Sequence, residues 1–261
     1  MSLPILLNQQ LIDIPLSWNE LTLAQYTRMY SATQSSNDYL APIAALLQID
    51  KHTLQSLPED KLTALVLNNL LWLNTPPLKT TAEHCPKYLQ LGDDLHTVPQ
   101  NFDGLKFGQV LLFQSVLSEH TDKETGTLNP AAYARLLAIV FSAKDEPIND
   151  SSIDQLEAQL QQIPFTEAMP VLNFFELLAA VKQRERKALS RDSTPEEKQA
   201  GIKRFEKFGA YPLVRMVMQA ENLTYDQTLN LPYHRAFVCL WYENEKSKYR
   251  DALMKFTVGS S

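Results

Sequence analysis

The apolar positions of this chain change period several times, and each change marks an element. Ile5 to Leu16 form two short apolar stretches about Asn8-Gln9-Gln10, with Leu11, Ile12 and Ile14 favouring extended backbone, so a small hairpin is predicted. Pro15 and Ser17 end it. Thr22 stands where a helix cap belongs, Gln25 completes a capping box, and the helix to about Ala32 buries Leu23, Tyr26 and Tyr30 or Met29. After the polar link Gln34 to Asn37, DYLAPIAALLQI reads as a second helix and the surroundings of Leu54 as a short one. Pro58-Glu59-Asp60 opens a strong helix, with Leu62, Leu65, Val66, Leu70 and Leu71 at helical spacing, and Thr75-Pro76-Pro77 stops it.

The same order of signals then returns. LNQQLIDIPLSWNELTLAQ from Leu7 and LGDDLHTVPQNFDGLKFGQ from Leu91 align without a gap, 84 residues apart, with Leu7 on Leu91, Leu11 on Leu95, Pro15 on Pro99, Leu21 on Leu105 and Gln25 on Gln109. Ile14 stands over Val98, Trp18 over Phe102, Leu23 over Phe107 and Ala24 over Gly108. Tyr88 to Leu91 and Leu95 to Val98, about Gly92-Asp93-Asp94, predict a clearer hairpin than the first. A helix from about Lys106 to Glu119 follows, then the exposed loop HTDKETGTLNP. The next stretch, AAYARLLAIVF, resembles DYLAPIAALLQ, and Asn149 to Ser152 cap a helix through Gln161. We read a degenerate internal duplication with residues 1–84 and 85–164 as its copies, Pro15 matching Pro99 and Trp18 matching Phe102. The predicted fold class is therefore mainly α with two small β-hairpins.

Residues 165–261 read as a distinct helical region with no third copy. Pro170 begins a long helix with Val171, Phe174, Phe175, Leu178 and Val181 on one stripe, running into the charged KQRERKALSR and out of the core. Thr194-Pro195-Glu196-Glu197 starts its partner in a helical hairpin. Pro212 to Ala220, a short turn capped by Thr224, and a final helix from Pro232 complete the chain.

Composition is that of a globular protein, 44% hydrophobic and 21% charged, in a chain of 261 residues that can bury a substantial core. No apolar run reaches the length of a bilayer, and MSLPILLNQQ lacks the marks of a signal peptide, so a cytoplasm is the expected compartment. Cys85 and Cys239, the only two cysteines, are expected as unpaired thiols. The net charge of −6 argues against indiscriminate nucleic-acid binding, and it is unevenly spread. Residues 1–164 carry 9 Lys+Arg against 18 Asp+Glu, and residues 165–261 carry 15 against 12, an acidic front and a mildly basic back suited to head-to-tail pairing.

Motifs for catalysis are lacking. No GxSxG elbow, GxxxxGK[ST] loop or GxGxxG turn is present, and the five histidines show no metal-ligand spacing. The densest donor run, Glu83-His84-Cys85, points adjacent side chains in different directions. Asp93-Asp94 and Glu196-Glu197 have turn and cap duties. No catalytic, cofactor-binding or metal-ligating residue is assigned, and a non-enzymatic role is expected.

Binding candidates lie at the back. The run from Lys182 to Lys207 holds nine basic residues against five acidic ones, a net +4 able to meet an acidic protein face or phosphate. Arg184, Arg186, Lys187 and Arg191 are its candidates for partner contact. Of the carboxyl-terminal aromatics, Tyr242 and Tyr249 are expected to be exposed and partner-binding, and Phe237 and Trp241 to pack in the core.

Two stretches suggest a family. IPLSWNELTLAQY, through Trp18, Glu20, Leu21, Thr22 and Gln25, resembles the start of small tail-assembly chaperones and related morphogenesis proteins of tailed phages and prophages. FEKFGAYPLVRMVMQAENLTYDQTLNLPYHRAFVCLWYENEKSKY is similar to such proteins in its Phe-Gly before a helix and its proline-started final helix. The resemblance covers about a quarter of the chain and implies a largely helical protein of the host cytoplasm. It would hold or join other virion proteins during tail building. Separately from this likeness, an oligomer is expected from the uneven charge. The duplication and the basic run lie outside that likeness. Two alternatives are kept: a virion component retained in the particle, and a helical nucleic-acid-associated module using residues 182–207.

Overall fold

Both predicted hairpins form, and they form in the same register. The computed structural model describes residues 3–7, 10–74, 86–91, 93–100, 102–142, 149–189, 199, 204 and 207–258. Strand β1 (Leu3–Leu7) pairs antiparallel with β2 (Gln10–Ile14), and β3 (Tyr88–Leu91) with β4 (Asp94–Thr97). Leu7 faces Gln10 and Leu6 faces Leu11 in the first; Leu91 faces Asp94 and Gln90 faces Leu95 in the second. Every described pair of the second ladder is a pair of the first shifted by the same 84 residues as the sequence repeat. One face of each hairpin is buried, through Ile12 and Ile14 in the first and Leu89, Leu91 and Val98 in the second. Leu11 and Leu95, 69% and 62% exposed, occupy one equivalent outer position.

Among the described residues the remaining regular elements are helices, and the chain is mainly α. Helices α1 (Leu23–Ser35), α2 (Leu40–Leu47), α3 (Lys51–Gln55) and α4 (Glu59–Asn69) follow the first hairpin. After the second come α5 (Phe107–His120), α6 (Tyr133–Phe141), α7 (Asp150–Leu160) and α8 (Phe165–Leu189). Helices α9 (Tyr211–Glu221), α10 (Tyr225–Leu229) and α11 (Tyr233–Val258) close the chain. Helix α8 starts at Phe165 rather than Pro170, because the carbonyl of Pro164 already accepts from the amides of Glu167 and Ala168. Pro170 then forfeits only one bond early in the helix. The Thr194 helix start lies outside the described residues.

By contact the chain forms two compact units that cut across the sequence blocks. One comprises residues 1–98, 116–142 and 150–175, the other 99–115, 143–149 and 176–261. Each contains the same closing device. In the first unit Thr22 bridges Pro164: the amide of Leu23 donates to the carbonyl of Ile163 at 2.9 Å, and that of Phe165 to Leu21 at 2.7 Å. In the second, Lys106 bridges Pro232: Phe107 donates to Leu231 at 2.8 Å, and Tyr233 to Leu105 at 2.9 Å. Trp18 and Phe165 lie 5.8 Å apart by ring centroid beside the first bridge; Phe102 and Tyr233 lie 5.9 Å apart beside the second.

The repeat therefore continues past Phe165, contrary to the sequence reading. The segment closing the first copy is Gln161 to Ala168 and leads into α8. Its counterpart in the second is Leu229 to Ala236, leading into α11. Ala168 and Ala236 are each fully buried at equivalent places. In the first unit α7 is held on α6 by Arg135, which pairs with Asp154 and with Glu157 at 3.2 Å. That pairing delivers Gln161 to Pro164 to the bridge.

Candidate functional site

Helix α11 has large apolar side chains on both faces, and only one face is covered. Tyr233, Ala236 and Cys239 turn inward, and Leu240, Glu243 and Asn244 are half-buried. Around the other side run Val238, Trp241, Tyr242, Tyr249 and Leu253, all exposed. Val238, Tyr242, Glu245, Tyr249 and Ala252 follow one another at alternating steps of four and three, which keeps them on one stripe of the helix. Tyr242 is 66% and Tyr249 68% exposed. Scattered exposed apolar residues are ordinary; several on one stripe of a helix, here on either side of Glu245, make this face the candidate for a binding surface.

The side chains around Tyr242 are ordered by charge. The ammonium of Lys246 lies 5.8 Å from the centre of the Tyr242 ring and 2.9 Å from the carboxylate of Glu243, so one cation holds both. Lys248 pairs with Glu245 at 2.7 Å. The first pair is part-buried and the second exposed, and pairs of this kind contribute little to stability.

Beside the stripe lies an open groove of about 540 Å³ between α9 and α11, lined by Ala220 and Glu221 on one side and His234, Val238, Cys239 and Tyr242 on the other. Arg235 closes on Glu221 across it, with Nε at 3.2 Å and Nη2 on the same oxygen. Cys239 is the one potential nucleophile in the groove. Burial pushes its thiol pKa up, the carboxylates of Glu221 and Glu243 push it further, and Arg235 opposes them. The thiol therefore stays protonated at neutral pH and is a poor nucleophile. Among the described residues no group of three or more His, Cys, Asp or Glu gathers as a metal cage, and no helix is long and apolar enough to cross a membrane.

Of the residues expected to bind partners, Tyr242 and Tyr249 stand on the stripe. Trp241 is 53% exposed, which corrects its assignment to the core: it lies on the stripe's flank, away from the buried line of Tyr233, Ala236 and Cys239. Phe237 is half-buried, its ring 6.1 Å from that of Tyr233. Arg184, Arg186 and Lys187 belong to the last turns of α8, with side chains outside those described, and Arg191 lies outside the described residues, as do Glu83, His84 and Cys85. Val238, Trp241 and Leu253 are the additions that sequence reasoning missed. Their signal was there in the four-and-three spacing of a helix with apolar residues on two sides. Comparisons with protein-family models, with curated proteins and with solved structures found no match.

Proposed function

We propose that this protein works by binding other proteins, without catalysis, and that the exposed face of α11 is its binding surface. The observation that carries this reading is the exposure of Val238, Trp241, Tyr242, Tyr249 and Leu253 along one side of a helix whose other side is packed from Tyr233 to Asn244. Aromatic side chains of this kind supply large contact area at small entropic cost, which is why they dominate binding energy at interfaces. The neighbouring groove offers an open bed with one ion pair and a protonated thiol, a chemistry suited to holding a peptide surface rather than transforming a substrate.

The partners in this proposal are components of a phage or prophage tail, and the role is that of an assembly factor. Support comes from the likeness carried by Trp18, Glu20, Leu21, Thr22 and Gln25 and by the carboxyl-terminal helices. The test is capture of purified tail proteins by the chain and by a Tyr242→Ser, Tyr249→Ser variant. We expect capture by the first and at least a tenfold weaker affinity for the second; equal binding by both overturns the assignment of the surface. Presence in assembly intermediates but absence from finished particles identifies a chaperone, and presence in both identifies a virion component.

A further inference from the structure

We draw no further inference here: the strongest candidate, the exposed side of α11 at Val238, Tyr242 and Tyr249, belongs to the surface already described and is locally neutral, with Lys246 and Lys248 paired to Glu243 and Glu245, so nothing in the structure shows what covers it.

Discussion

The two copies solve one structural problem with different chemistry. Both must turn a hairpin into a helix and pin that corner to a proline-marked segment through an isolated bridge, at Thr22 and Pro164 in the first and at Lys106 and Pro232 in the second. The glutamine three residues into each helix does the same work in both: Gln25 accepts the amide of Thr22 at 2.9 Å, and Gln109 that of Lys106 at 2.8 Å. Only the first copy has the reciprocal bond, from the Gln25 amide to the Thr22 hydroxyl at 3.2 Å. Lysine cannot accept it. The second corner is instead the more deeply buried, with Leu105, Lys106, Phe107 and Gln109 all inside. The difference teaches that the glutamine half of a capping box survives where the threonine half does not, provided burial takes over the work of fixing the corner.

The largest test of that contrast is aromatic. Phe102 is fully buried and Trp18, its larger counterpart, is half-buried, edge-on to Trp72 at 5.1 Å. Phe102→Ala should cost about 3–5 kcal/mol in denaturant unfolding, and Trp18→Ala less, since solvent already reaches its ring; the reverse order would break the comparison. Next come the glutamines. Gln109→Ala strands a buried amide and should cost about 1–3 kcal/mol, whereas Gln25→Ala, at a half-buried corner that keeps the Thr22 hydroxyl, should cost about 1 kcal/mol or less.

A smaller effect should appear at high pH in one copy alone. Tyr26 stacks on Phe165 at 4.0 Å; burial, and then the neighbouring Tyr30, raise its hydroxyl pKa. A raised folded value means that stability is complete below the ordinary tyrosine value near 10 and is lost as pH rises through the folded value. Val110 stands at the matching place in the second copy. Tyr26→Phe should therefore reduce the alkaline loss of stability, and an unchanged alkaline melting curve would count against a buried hydroxyl there. The smallest effect should be at Tyr242: replacement by Ser should alter stability by no more than about 0.5 kcal/mol while weakening partner binding, which separates a docking residue from a packing one.

Much of the corner was legible because it is made of local signals. The hairpin register, the Thr22 cap with Gln25, and the proline starts near Glu59 and Tyr233 follow from turn residues and spacing within a few positions. The closing bridges were not legible. Ile163-Pro164-Phe165 and Leu231-Pro232-Tyr233 are three-residue echoes 68 residues apart, whereas the opening halves are 84 apart, so no single offset aligns a whole copy. Trp241 was misassigned for a related reason: periodicity tells which residues share a helix face, and it does not tell which face another element covers.

Sequence alone determined the local elements of this protein, because caps, turns and apolar period act over a few residues and need no knowledge of the rest of the chain. Tertiary structure decided which distant segments close each copy and which face of α11 remains bare. Those outcomes depend on backbone hydrogen bonds between residues more than a hundred positions apart and on the packing that buries Pro170 but leaves Val238 in solvent.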